Sequence, residues 1–266
     1  MSFKCWLCQG EIKEQVIEIG QYTVSRCMTC GLGFLDPPLT QGSSDQLYDQ
    51  GYYIKNRKVK NPEEAVNELF PRVKFVKKFR KTGALLDVGC GLGYFLAASQ
   101  KMGFSVTGIE VSPWACTYVK KHFDIPVYMG TVESLDLGKE VFDVCTMWHV
   151  IEHLTDPLYV LVKLWKSLKK EGVLILETRN YQSFDARVLK DNWKGWSLPY
   201  HTWHFSSKSL KIMFEKAGYK VIKIKLTSSE YVKNKLQKIP VVKILRNPIS
   251  KLFRGSNIKV IGMKCG

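Results

Sequence analysis

The run Ala84-Leu85-Leu86-Asp87-Val88 passes directly into Gly89-Cys90-Gly91-Leu92-Gly93-Tyr94, and this junction constrains the fold more than any other stretch. A short, continuous apolar segment is the mark of a strand buried on both faces, as in a parallel sheet. Glycines at its end allow a sharp turn and a close approach of backbone to a ligand before a helix begins. From Gly83 onward the same alternation continues. Strands are expected at 105–111, 125–129, 142–148 and 173–177, with helices over about 92–102, 113–123, 157–170 and 206–218. Strands alternating with helices predict an α/β fold, a sheet covered on both faces. In Val221–Leu226 apolar residues alternate with Lys223 and Lys225, so a half-solvated antiparallel strand is expected there, with Ile258–Met263 as its partner.

Glu110 closes the strand that follows the glycine turn, 23 residues after Asp87, where a carboxylate can accept ribose hydroxyls. A dinucleotide loop would need a glycine or alanine where Tyr94 stands. The segment 85–93 resembles the first motif of class I S-adenosylmethionine-dependent methyltransferases. The resemblance continues through Gly108-Ile109-Glu110-Val111-Ser112 and from Phe142-Asp143-Val144 to Glu152-His153-Leu154, in the manner of the Methyltransf_23 branch. It implies a Rossmann-like seven-stranded sheet and an S-adenosyl-L-methionine site. In that site Asp87, Gly89, Gly91 and Gly93 would cradle the methionine part, and Glu110, with Val111 beside it, would hold the ribose. Thr131 and Val132 would lie beside the adenine, and Trp148 and His149 would close the pocket.

Cys5-x-x-Cys8 and Cys27-x-x-Cys30 are separated by 18 residues, enough for a hairpin that brings two thiolate turns together. Four thiolates suit tetrahedral Zn²⁺, and a site with all four ligands supplied is closed and structural. Residues 1–40 are therefore expected to form a zinc ribbon, 41–82 a Tyr-rich connector (Tyr48, Tyr52, Tyr53) with a helix from about Glu63 to Lys81 that Pro71 breaks or kinks, and 83–266 the methyltransferase domain. Cys90, Cys116, Cys145 and Cys265 have no partner spacing and read as core residues.

Four of the five histidines fall in His149-Val150-Ile151-Glu152-His153 and His201-Thr202-Trp203-His204, both expected at carboxyl ends of strands, where open α/β sheets bind ligands. Three roles remain open: a general base for the acceptor, a divalent-cation site built from Glu152, His153 and a later histidine, or a structural and substrate-orienting role. The cation reading draws on a similarity to O-methyltransferases of small RNA and of the ubiquinone pathway that carry Glu-x-x-Glu-His. Here His149 replaces their first glutamate. The stretch from Asn192-Trp193 through Trp196 to His204-Phe205-Ser206 is similar to a branch associated with sugar and natural-product modification, which implies a small acceptor such as a sugar or glycan precursor.

The net charge of +16 favours acidic partners without choosing among them. Residues 230–256 carry seven basic side chains against Glu230 alone, interleaved with apolar ones and with Pro240 and Pro248. Such an insertion suits a solvated lid, an acceptor-binding lid, or peripheral contact with an anionic membrane through 230–254. No signal peptide or spanning stretch is evident, so a cytoplasmic protein is expected, with contact at a membrane surface as the membrane-peripheral variant of that reading. An RNA-modifying enzyme and a non-catalytic cofactor-binding scaffold are the rival readings.

Overall fold

The computed structural model describes residues 3–37, 61–238 and 245–265. The expectations for Tyr48, Tyr52 and Tyr53 and for Pro240 lie outside them.

A seven-stranded sheet forms the body, in the order β10-β11-β8-β7-β4-β5-β6. Its parallel part comprises β4 (Gly83–Val88), β5 (Phe104–Glu110), β6 (Val127–Met129), β7 (Phe142–Trp148) and β8 (Leu168–Arg179). The strand β11 (Arg254–Lys264) lies antiparallel to both β8 and β10 (Tyr219–Ser228), so β11 is the reversed strand. Alternate residues of β8 serve different layers: Leu174 and Leu176 pack with one cluster, Val173 and Ile175 with the other. That is why the run is apolar without a break.

One layer is built by α1 (Pro62–Val76), α2 (Tyr94–Lys101) and Val119 of α3 (Pro113–Phe123); the other by α4 (Pro157–Ser167) and α6 (Ser207–Lys216). The helix starts are sequence-encoded. Asn61, Ser112, Asp156 and Ser206 each accept a backbone N–H at their helix N-terminus, and a proline follows at the first turn in the first three.

Three local expectations are corrected. Pro71 does not end α1, which runs on to Val76. Proline removes one N–H, and the carbonyl it would have served belongs to exposed Asn67, where water can take over; the buried face carries Ala65, Val66, Val73 and Val76. The helix expected to reach Lys170 stops at Ser167, because Leu168 is already a buried strand residue. Cys265 is exposed and not a core residue, since it lies beyond the end of β11.

The N-terminal strands β1 (Lys13–Ile19), β2 (Tyr22–Cys27) and β3 (Gly33–Asp36) form an antiparallel meander, completed by β9 (Trp203–His204) from the far end of the chain. Gly33 pairs with His204 and Phe34 with Trp203. Leu7 and Leu32, together with three of the four cysteines, belong to the same apolar cluster as α4, α6 and one face of the sheet.

The basic insertion is clipped to the body by one buried carboxylate. Asp185, in α5 (Phe184–Leu189), accepts from the Ser229 hydroxyl, from Glu230 N at 3.1 Å and from Ser256 Oγ at 2.7 Å. Ser229 in turn caps α7 (Glu230–Gln237). Asp185→Ala would orphan those donors, so a stability loss of at least about 2 kcal/mol is expected in urea unfolding.

Candidate functional site

The turn after β4 is held open by backbone geometry. Gly89 and Gly93 have φ of 66° and 73°, and a Cβ on either would come within 2.6 Å of Val150 Cγ2 or 2.7 Å of Val119 Cγ2. No side chain larger than hydrogen fits either position. Asp87, buried at the end of β4, accepts from Thr146 Oγ1 on β7 at 2.7 Å. Glu110 is 4% exposed; Oε2 accepts from Gly91 N at 2.8 Å and Oε1 from Ser112 N at 3.0 Å. Both oxygens are thus fixed by backbone N–H groups, Gly91 from the glycine turn and Ser112 from the turn that follows β5. A buried acid at the end of this strand is of the kind that accepts ribose hydroxyls. Gly130 N bonds Glu110 O at 2.9 Å, which brings the end of β6 alongside Glu110. Thr131 stands there in a polar turn with Ser134, whereas Val132 turns into the core at 2% exposure. Val111 is on the surface beside Glu110.

Trp148 closes β7 and packs edge-on against Phe95, with the Arg72 guanidinium of α1 at 4.5 Å from its ring centroid. Its Nε1 is buried and has no partner among the described residues. His149 follows with φ 59°, a left-handed conformation that costs a non-glycine residue free energy and marks a position held by its surroundings. Its N–H donates to Glu177 O at 2.8 Å, and its Nδ1 lies 3.3 Å from Glu152 Oε1.

Glu152 is 1% exposed, and Thr178 Oγ1 donates to its Oε2 at 2.7 Å. Burial pushes its pKa up, yet the His149 hydrogen bond and the charges of the neighbouring histidines hold it below the usual carboxylate range. One ligand-type atom from each of Glu152, His153 and His201 lies within 4.8 Å of the other two. Both rings donate Nδ1–H to a backbone carbonyl, His153 to Tyr200 O and His201 to Gly195 O, each at 2.9 Å. The tautomer is thereby set so that Nε2 carries the lone pair, the arrangement that metal-ligating imidazoles use. Burial pulls His201 down to about 4, against the opposing pull of Glu152, so its imidazole is neutral at pH 7. His204 does not join this trio. It is buried at 3%, stacked edgewise on Trp196 at 5.2 Å, and burial pulls its pKa to about 3.

The four N-terminal cysteines converge. Cys5 and Cys30 Sγ atoms are 3.7 Å apart, Cys8 and Cys27 Sγ atoms 3.5 Å, and all four lie within 4.8 Å of one another. A tetrahedron with bonds of about 2.3 Å has sulfur–sulfur edges of about 3.8 Å, so the set fits a thiolate-bound zinc. Burial pushes Cys30 up, while for Cys27 the N–H groups of Cys30 and Thr29 and the Cys8 thiol outweigh burial and bring it down to about 7.

Sequence reasoning named Asp87, Trp148, His149 and Glu152 but not their supports: Thr146 on Asp87, Arg72 over Trp148, Glu177 (with its Lys259 ion pair at 2.8 Å) on His149, and Thr178 on Glu152. Thr178 sits at the carboxyl end of a strand, which was the one available signal; the others are ordinary polar residues until the strands are aligned. Trp193 and Trp196 are each 4% exposed, meet edge to face with ring centroids 5.2 Å apart and share an apolar cluster with Val24 of β2, so they are core residues.

Sheet order, glycine turn and ribose-type acid together define the fold of class I S-adenosylmethionine-dependent methyltransferases. A methyltransferase-domain family model, Methyltransf_23, matches residues 54–224, and the chain belongs to that family. It is similar to the mitochondrial ubiquinone biosynthesis O-methyltransferase of Schizosaccharomyces pombe, 36% identical over 35% of this chain and 37% of that protein. A ubiquinone biosynthesis O-methyltransferase of Cereibacter sphaeroides is 32% identical over 50% of this chain and 59% of the relative. The chain thus spans between about a third and three-fifths of these relatives. Among solved structures, an S-adenosylmethionine-dependent methyltransferase from Archaeoglobus fulgidus superposes with a TM-score of 0.59 at 22% identity, covering 80% of this chain and 98% of that one. The [4+2]-cyclase SpnF superposes at 0.54 with 15% identity, covering 74% of this chain and 80% of that one. At such identities the likeness speaks for the fold alone, and the cyclase shows that the fold does not fix the chemistry.

Two outcomes follow from this geometry. Glu110→Ala is expected to weaken adenosylhomocysteine binding at least about tenfold by calorimetry while leaving zinc content unchanged. In metal-free protein, His201 and His204 stay neutral when folded but take up protons below about 6.5 when unfolded. The unfolded state then binds more protons, so stability falls as pH drops from 6.5 toward 4, by up to about 1.4 kcal/mol per pH unit for each histidine. His204→Gln should flatten that slope in urea titrations.

Proposed function

We propose that the protein transfers a methyl group from S-adenosyl-L-methionine to a hydroxyl oxygen of a small molecule, with a divalent cation at Glu152, His153 and His201. The observation that carries this reading is the convergence of those three side chains, with both imidazole tautomers already set, at the carboxyl edge of the sheet beside Trp148 and His149. The relatives are named for O-methylation in ubiquinone biosynthesis, which favours a phenolic precursor of a quinone as acceptor. The expected sugar or glycan acceptor finds no support among them, and burial of Trp193 and Trp196 removes the side chains that would have stacked on it. Neither RNA binding nor membrane contact finds support; among the described residues no helix is long and apolar enough to cross a bilayer.

The donor would supply a methyl carbon on a sulfonium, open to direct displacement. The cation would lower the pKa of the acceptor hydroxyl and fix its direction. Glu110 and the glycine turn would hold the nucleoside and the methionine part. His149, only partly buried and braced through Nδ1 by Glu152, is placed to take the hydroxyl proton, with Glu152 stabilising the imidazolium that results. Glu152 can serve both neighbours because a carboxylate offers about four lone-pair sites. Trp148, under the Arg72 guanidinium, would keep water from the approach. At the other site Cys5, Cys8, Cys27 and Cys30 would hold Zn²⁺ as a structural ion.

Incubation with methyl-labelled donor and a panel of phenols, nucleotide sugars and RNA tests the reading. Label should appear on phenolic oxygen, disappear with a chelator and return with Mn²⁺. His153→Ala and His201→Ala should each lose at least about 100-fold in turnover while binding adenosylhomocysteine normally. Chelator-resistant transfer, or transfer to sugars alone, would sink it.

A further inference from the structure

The cysteine module and the Glu152, His153, His201 trio are joined by a direct backbone relay through Thr202. Leu35 N, in β3, donates to Thr202 O at 3.0 Å, and Thr202 N donates to Glu152 O at 3.0 Å, with Thr202 Oγ1 on the same carbonyl at 3.3 Å. Thr202 directly follows His201 in the chain. The next residue, Trp203, donates its Nε1 to Leu154 O at 2.8 Å and meets Trp6 edge-on at 5.2 Å. Trp6 itself is the neighbour of Cys5. On the other side of the thiolate cluster, Gly31, next to Cys30, accepts from Tyr181 Oη at 2.9 Å, and Thr29 O accepts from Lys208 Nζ at 2.5 Å. The first cysteine pair is therefore one residue away from a contact with the segment that carries His201, and the second one residue away from contacts with Tyr181 and Lys208.

Two-residue strand pairing is weak by itself, and β9 has no other strand partner among the described residues. Its position depends on β3 being held rigid. The three strands of the N-terminal meander carry little apolar core of their own, and such small modules commonly need a metal to stay folded. Without an ion, four crowded thiols would add nothing to the pairing with β2 that holds β3 in register three residues after Cys30.

We propose that the Cys5, Cys8, Cys27, Cys30 module is a positioning element for the second centre: Zn²⁺ in the thiolate cluster fixes β3, and through Thr202 fixes His201 and Glu152, setting that centre's affinity for a divalent cation. This rests on the cation reading of Glu152, His153 and His201 given above. Leu35, Thr202 and Gly33 are positioning residues in this scheme and touch no substrate.

The test uses the full chain and Mn²⁺ as probe, read by paramagnetic resonance, with zinc measured by elemental analysis and adenosylhomocysteine binding by calorimetry. Cys30→Ser removes a thiolate. Gly33→Val leaves all four thiolates but puts a Cβ 2.8 Å from His204 Cβ and 3.1 Å from His204 O, forcing β3 and β9 apart. Both variants are expected to weaken Mn²⁺ binding at least about tenfold, Cys30→Ser with loss of zinc and Gly33→Val with zinc retained, while adenosylhomocysteine affinity stays within about twofold. Unchanged Mn²⁺ affinity in either variant would overturn the proposal, as would parallel loss of adenosylhomocysteine binding, which signals general collapse. Should the native protein bind no Mn²⁺ that His153→Ala abolishes, the cation reading itself fails, a result separable from failure of the coupling.

Discussion

A carboxylate almost wholly removed from water has to be compensated, and Glu152 is compensated at both of its oxygens. Thr178 donates to one oxygen from the end of β8, and His149 approaches the other from the end of β7. Its backbone carbonyl receives Thr202 from the segment leading into β9. An isolated buried charge would cost several kcal/mol, so these partners are a condition for the fold as much as features of a site. Because they come from separate parts of the chain, satisfying one acid aligns two strand ends and the 195–204 segment around a single cleft.

The same economy governs the rest of the cleft. A parallel sheet with both faces covered leaves only its edges for polar side chains, and the helix-to-strand crossovers put ligand-facing groups at the carboxyl edge. Glu110 is locked there by Gly91 and Ser112, Asp87 by Thr146, and His149 by Glu177. Asp87 and His149 are oriented by a neighbour on an adjacent strand and Glu110 by the turns beside it, so the geometry is established before any ligand arrives. The N-terminal meander extends this framework. It shares its fourth strand and its apolar cluster with the body, and so is continuous with it rather than an appendage.

Several parts of this arrangement were legible from local pattern. The strand–glycine–helix junction, the acid ending the next strand and the paired cysteines depend on spacing over a few residues, where steric limits and ligand chemistry act directly. Helix starts were legible because caps are local. Boundaries such as the end of α4 were not, since burial of Leu168 against distant residues overrides helix continuation. Pro71 misled for the complementary reason: its cost depends on whether the released carbonyl faces water, which no local rule states.

By itself the sequence determined an α/β sheet with a glycine turn, an acid at the end of the next strand, and four thiols able to meet, because periodicity, turn chemistry and ligand spacing are short-range. Only the tertiary structure decided which histidines converge on Glu152, that Trp193 and Trp196 are buried, and that β9 completes the N-terminal sheet. Those outcomes turn on which strand ends become neighbours, and strand neighbours are chosen by the burial of the whole core rather than by any stretch of it.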